Sequence, residues 1–420
     1  MKVLVQGASI AGPVLAYWLA RYGADVTVVE RAPALRKTGG HAIDLFRPAV
    51  EVSERMGVLP QIERHATGTT VLTAHRPWAA RPARIDYHKL EKTMSDRHVE
   101  IMRDDLSEIY YNATRDDVDF RFDNRITAIS DHGSVTFAQG PAERFDIVVG
   151  ADGLHSGVRQ LMFGDAPERF LGGYLSVLSV PKELAHEGEM VGYFEPDRVA
   201  MVYTADHLDD ARAVFIFRPQ QPIDYDHRAV ERQKDQLRLA FAGVSAQVDR
   251  WLAELGRTPT FYFDAITQLE MSTWSRGRVT LVGDAGYCPG PAVGGSTSLA
   301  VYGAYVLAGE IATAGGDYAA AFAAYEKILM PSVLGSRKLA RANARTLIPG
   351  SRCGVRGLVG IGRAITLLPL GVTQALARLN DRGIRLYDTM PLPEYDESPE
   401  TAEVSGDSTN ETMPPAKPAG

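Results

Sequence analysis

The chain has 420 residues, 45% of them hydrophobic and 23% charged, and a formal net charge of −7. That length accommodates two or three packed units around a large core, and the composition is that of an ordinary globular protein. The acidic balance, with no basic block, disfavours nucleic acid and anionic membrane as partners.

In chain order, the first unit reads strand, glycine turn, helix, strand, acid. A strand over 2–6 runs into Gly7-Ala8-Ser9-Ile10-Ala11-Gly12, then a helix over 13–22, a strand over 25–29, and Glu30. This is the shape of a dinucleotide-binding βαβ unit, with its acid about 20 residues in. Gly7 permits a tight turn and Gly12 lets the helix approach the strand. The free N–H groups at the helix start can hold a pyrophosphate. Glu30 can accept from ribose hydroxyls and repel a 2′-phosphate. Ser9 stands where G-x-G-x-x-G has its second glycine, so the motif alone leaves NAD, FAD and a plain βα turn open.

A glycine-rich loop follows over 38–45, then a helix over 48–56. Residues 68–101 read as short strands with turn signals at Arg76-Pro77 and Arg81-Pro82. A helix is expected over 104–112 with Arg103 just ahead of it, then strands over 119–122, 125–129, 134–137 and 145–149. The last empties into Gly150-Ala151-Asp152-Gly153, where α/β sheets place ligands. Residues 170–270 mix strands with one helical segment over 226–255. A third strand-to-glycine turn, Gly283-Asp284-Ala285, precedes helices over 296–314 and 318–338.

The most apolar window, 357–376, is long enough to span a bilayer, but Arg363, Pro369 and several glycines favour a buried helical segment. From Leu392 onward the composition predicts a disordered tail. Residues 1–5 enter a strand directly, so no secretory signal is expected. The two cysteines, Cys288 and Cys353, lack metal-ligand spacing and fit a reduced, cytoplasmic setting.

The three glycine turns, in this order, resemble those of the flavin-dependent aromatic hydroxylases, the single-component (group A) FAD monooxygenase family, over residues 1–345. Asp152-Gly153-Leu154-His155-Ser156-Gly157-Val158-Arg159 matches that family's D-G-x-x-S-x-V-R at every fixed position. Gly283-Asp284-Ala285 with Pro289 matches its G-D-A…P, and Arg103-Asp104-Asp105-Leu106 resembles its R-x-x-L. Gly39-Gly40 with Asp44-Leu45 resembles the loop bordering the isoalloxazine in the tetracycline-oxidising members, the nearest in look. One departure stands before the helix at 296: where the family reads G-x-G-x-N, this chain has Gly294-Gly295-Ser296-Thr297-Ser298.

The resemblance implies an α/β fold: a Rossmann-like, p-hydroxybenzoate-hydroxylase-like FAD-binding domain (1–68, 102–169 and 271–345) with an inserted β-sheet substrate domain (69–101 and 170–270). A C-terminal helical segment (346–391), with a helix over 364–388 bracing the domains, and a tail (392–420) complete it. It implies FAD held at its adenosine and pyrophosphate end by Gly7, Ser9, Ile10, Ala11, Gly12, Glu30 and Arg31. Asp152, Gly153 and Arg159 would lie by the pyrophosphate, and Gly283, Asp284 and Pro289 by the ribityl chain. Asp44, Arg103, Leu106, Gly294, Gly295, Thr297 and Ser298 would face the flavin.

NADPH or NADH would be the transient reductant. O₂ would add at flavin C4a, and the hydroperoxide would hydroxylate an aromatic, polyketide or antibiotic-like small molecule. Tetracycline-like compounds are the favoured guess. No side chain is assigned as acid or base, and no metal. His41, His88, His155, Trp78, Tyr87, Phe215, Tyr262 and Phe263 are candidates to line the substrate cavity. The expected setting is cytoplasmic, without nucleic acid or stable membrane insertion, and the oligomeric state is left open. A flavin-dependent reductase of the same fold and a non-catalytic FAD- or ligand-binding protein remain alternatives, whereas a W-x-W-x-I-P halogenase motif is absent.

Overall fold

Uninterrupted apolar strands need cover on both faces, and Lys2–Gln6, Asp25–Val29 and Ile147–Gly150 are of that kind. In the computed structural model, which describes residues 1–35, 40–223, 229–291, 295–379 and 385–396, they form the centre of a six-stranded sheet. Its order is Ser275–Arg276, Val279–Leu281, Ile147–Gly150, Lys2–Gln6, Asp25–Val29, Asp119–Arg121. All neighbours are parallel except the first pair. Helix Ala11–Arg21 packs on helix Ser296–Thr313 over this sheet, with Val14, Leu15, Trp18 and Tyr305 in one buried cluster.

A second, seven-stranded sheet is mostly antiparallel: Phe261–Leu269, Glu168–Pro181, Asp210–Phe217, Arg198–Tyr203, Glu189–Glu195, Val71–His75, Ala83–Asp86. Its strands alternate. Phe215, Phe217 and Phe263 meet Phe241 and Trp251 on one face, while Leu175, Val177, Tyr262 and Ile266 gather on the other. Helices Val230–Phe241 and Ala246–Ala253 cover the first face in place of the single helical segment expected over 226–255. The Ser245 hydroxyl caps the second by accepting from the Val248 N–H (3.1 Å).

Three more expectations need correction. The loop over 38–45 is a strand from Ala42 to Phe46, antiparallel to His98–Met102, because Ile43 and Leu45 alternate into the core; Thr38 and Gly39 lie outside the described residues. The strand-like stretch 68–101 contains helix Tyr87–Met94, started by the Asp86 carboxylate accepting from the Lys89 N–H at 2.9 Å. The tail packs further than expected. Tyr395 stacks edge-on to Tyr305 at 5.4 Å and donates to Glu310, and Glu394 pairs with Arg55 at 2.7 Å.

The brace between the sheets is helix Tyr318–Leu347, which carries Pro331 and runs nine residues past the expected end at 338. Tyr325 packs in the cluster of the first sheet, while Ala340 and Ala344 pack with Ile266 of the second. The segment expected as one bracing helix over 364–388 is instead two helices, Arg352–Leu367 and Leu370–Arg378, parted at Pro369. They rest on strand Ala83–Asp86 and helix Tyr87–Met94, and their outer faces are exposed, not buried. Among the described residues no helix is long and apolar enough to cross a membrane.

Candidate active site between the two sheets

Three adjacent parallel strands end together, and that brings the three glycine turns to one edge. A Cβ on Gly12 would lie 1.9 Å from the Gly7 carbonyl oxygen, and one on Gly7, whose φ is +113°, would lie 2.5 Å from the Ala151 oxygen. A Cβ on Gly283 would sit 3.3 Å from that of Ala11. The close approach needed to seat a diphosphate over the helix start is thus built from positions that leave no room for a side chain. Ile10 and Ala11 form that helix start. The Glu30 carboxylate closes the turn, accepting from the N–H groups of Ala8 (3.0 Å) and Ala32 (2.8 Å), with lone pairs left for further donors. Arg31 beside it is exposed.

Arg103 opens helix Arg103–Asn112, its N–H bonded to the His41 carbonyl at 3.1 Å. Its guanidinium donates to the Ser9 hydroxyl at 3.1 Å, so Ser9 in place of glycine gains a partner. Burial pushes the Asp284 carboxyl up, and the Arg103 charge opposes that; the Cys288 thiol also bonds this carboxylate. Burial lowers His41 to about 4, with Arg103 adding to the effect, so the imidazole is neutral at pH 7. The His41 ring faces Tyr262, a buried phenol on the second sheet whose pKa burial raises well above the usual value. Arg103, Asp284 and His41 of the first unit therefore come together with Tyr262 of the second sheet where the two sheets meet.

Several expected site residues are turned elsewhere. The Asp152 carboxylate accepts from the N–H groups of Gly157 (2.7 Å) and Val158 (3.2 Å) and from the Ser156 hydroxyl, ordering its own turn. Gly153 follows at φ +82°. Arg159 is buried and donates to the carbonyls of Ala285 (2.9 Å) and Leu154, tying two of the three turns together. Ser298 accepts from the Phe46 N–H (2.9 Å) and donates to the Asp44 carbonyl (3.1 Å).

The Asp44 carboxylate meets His98 at 2.7 Å, in a buried cluster with Glu91 and Glu100, whose pKa values burial raises to about 8 and about 7. Leu106 is core, and the Pro289 carbonyl accepts from Gln268 at 2.8 Å. Gly295 caps helix Ser296–Thr313 at φ +60°, where a Cβ would meet the Tyr387 ring at 2.6 Å, and Thr297 is half-buried behind it. Gly294 lies outside the described residues.

Of the cavity candidates, His41 and Tyr262 face each other, and His155 is bonded to Asp264 at 3.0 Å. Phe215 and Phe263 point to the opposite face of the sheet, Trp78 lies under Arg352, Tyr87 donates to Glu100 at 3.1 Å, and His88 is exposed. Sequence reasoning missed Asp264, Tyr203 and Arg212. Tyr203 accepts from the Ala42 N–H at 2.7 Å and Arg212 donates to the Gly40 carbonyl at 3.0 Å, pinning the His41 segment to the second sheet. No motif marks them.

The sequence profile described as "FAD binding domain" matches residues 1–321. An uncharacterized protein of Mycobacterium tuberculosis (strain ATCC 25618 / H37Rv) is 41% identical over 335 residues, 77% of this chain and 88% of its own length. A flavin-dependent monooxygenase of Legionella longbeachae is 35% identical over 349 residues, 80% of this chain and 87% of its own. Among solved structures, the tetracycline destructase Tet(55) superimposes with a TM-score of 0.78 at 33% identity, over 94% of this chain and 98% of that one.

Proposed function

The chain belongs to the FAD-binding-domain family of flavin-dependent monooxygenases, and on that premise we propose that it uses NAD(P)H and O₂ to hydroxylate a planar polyketide or aromatic small molecule of the tetracycline kind. The observation that carries this reading is the meeting of Arg103, Asp284 and His41 of the first unit with Tyr262 of the second. The glycine cradle fits a dinucleotide diphosphate. Similarity to the tetracycline destructase Tet(55) over 94% of the chain supports the substrate class.

Bound FAD supplies the redox chemistry, activating O₂ once a nicotinamide has reduced it. The residues bind, orient and exclude water. The free N–H groups at the start of helix Ala11–Arg21 would hold the diphosphate, and Glu30 would accept from ribose hydroxyls. Asp284 would accept from the ribityl chain; burial pushes its carboxyl up, and the Arg103 charge opposes that rise. Arg159 keeps the second and third turns in register. The apolar face of the seven-stranded sheet, with Leu175, Val177 and Ile266, would help keep water from the reacting atoms. Two cysteines, one buried and one exposed and neither in a disulfide, suit a reducing cytoplasm.

The test is turnover. Purified protein carrying FAD should oxidise NADPH or NADH faster when a tetracycline is added, and mass spectrometry should find a product heavier by one oxygen atom. Nicotinamide oxidation that no tetracycline or related polyketide accelerates, with no oxygenated product, overturns the proposal.

A further inference from the structure

Helix Arg352–Leu367 buries Val355 and Val359 against Ile85, yet it and helix Leu370–Arg378 also carry polar contacts inward and large apolar side chains outward. Facing the protein, the Thr366 hydroxyl accepts from the Asp86 N–H at 2.9 Å, Thr373 meets the Thr93 hydroxyl at 3.0 Å, and Gln374 donates to the Lys92 carbonyl at 3.2 Å. Facing outward are large apolar side chains: Ile361 is 62% exposed, Leu367 79%, Leu376 55% and Leu379 84%. Val372, Leu376 and Leu379 recur at helical spacing, so they form a stripe and not a scatter.

The charge around this stripe opposes that of the whole protein. The two helices carry Arg352, Arg356, Arg363 and Arg378 and no Asp or Glu, within a protein of net charge −7. Arg356 and Arg363 are exposed on helix Arg352–Leu367 and pair with no acid among the described residues. Arg352 lies over the Trp78 ring at 5.3 Å, and Arg378 reaches Asp96 only at 4.0 Å.

We propose that these outward faces are a peripheral docking surface for an anionic lipid bilayer. An apolar stripe flanked by arginines, in helices too short and too interrupted at Pro369 to span, is the pattern of a segment lying in the interface plane. The apolar side chains enter the acyl boundary while the arginines meet lipid phosphates. A second copy of the chain is the weaker occupant, since two such faces would bring arginines against arginines with no acid to answer them. The overall negative charge sets a weak global repulsion, which the local cationic surface outweighs within a Debye length of the membrane.

The experiment is co-sedimentation of the full-length, FAD-loaded protein with phosphatidylcholine vesicles and with vesicles containing phosphatidylglycerol. Binding to the anionic vesicles should be at least tenfold stronger than to the neutral ones and should fall as salt rises. Both Leu376→Asp/Leu379→Asp and Arg356→Gln/Arg363→Gln should lose most of it. These side chains are exposed, so thermal melts should match the parent; should the aspartate variant fold poorly, the glutamine pair carries the test alone. Equal or no binding to both vesicle types overturns the proposal, as does anionic binding that survives both variants. A concentration-dependent dimer in light scattering that the same substitutions abolish would assign the face to a second copy instead.

Discussion

Gly12→Ala should abolish tight FAD binding while leaving the remainder of the fold in place. The added Cβ would lie 1.9 Å from the Gly7 carbonyl oxygen, about 1.5 Å short of ordinary contact. Neither partner can yield cheaply. Gly7 is pinned by its N–H to the Val29 carbonyl at 2.8 Å and by the Ala151 backbone behind it, and the helix carrying Gly12 is fixed by fully buried Val14 and Leu15. Overpacking of this kind costs about 1–3 kcal/mol, and it falls on the turn that seats the diphosphate. At 1.4 kcal/mol per tenfold, the FAD dissociation constant should rise by roughly 5- to 150-fold. Flavin fluorescence quenching on titration of apoprotein measures it. Gly357→Ala, in open space on a helix, is the control and should bind FAD as the parent does. A Gly12→Ala protein with parental FAD affinity and melting temperature would refute the argument that this close approach forms the cofactor seat.

Asp284→Asn keeps the shape but removes the charge facing Arg103. Loss of a charge-assisted bond of about 1.5–3 kcal/mol should weaken FAD by roughly ten- to a hundredfold in the same titration. Arg159→Ala leaves the Ala285 and Leu154 carbonyls unanswered and should lower stability by about 2–3 kcal/mol in urea unfolding. His41 titrates near 4 when folded and near 6.5 when unfolded, so between those values the unfolded state binds more protons and stability rises with pH. The slope is at most 1.36 kcal/mol per pH unit, about 3 kcal/mol as a ceiling because the ring keeps some solvent contact. His41→Gln should flatten that limb of a stability–pH curve. Glu91 acts in the other direction. Its folded pKa is raised to about 8, so its contribution is lost as pH rises from about 4.5 to 8, and Glu91→Gln should reduce the alkaline decline.

Much of the architecture was legible because local chemistry wrote it. Gly7, Gly12 and Glu30 announce a βαβ turn by steric need alone, and the helix starting at Ser296 reads from its apolar run. The motif residues, however, do not reveal which way a side chain points. Asp152 and Arg159 carry the most specific motif in the chain, yet both are turned inward to hold turns together. Asp44 and Ser298 likewise serve a strand that sequence reads as loop. Phe215 and Phe263 differ from Tyr262 only by strand parity, and parity becomes a face only when the neighbouring strand is known. Net charge is an average, so it concealed a cationic surface on an acidic protein.

By itself the sequence determined the family, the glycine-lined βαβ turn and the order of the three turns, since each follows from short-range backbone demands. Tertiary structure decided that those turns lie on adjacent strands, that Tyr262 meets His41 beside Arg103 and Asp284, and that Ile361, Leu367 and Leu376 of helices Arg352–Leu367 and Leu370–Arg378, with the cap residue Leu379, face outward. Such contacts join residues more than a hundred positions apart, and only packing against a distant partner selects among the faces that local propensity leaves equivalent.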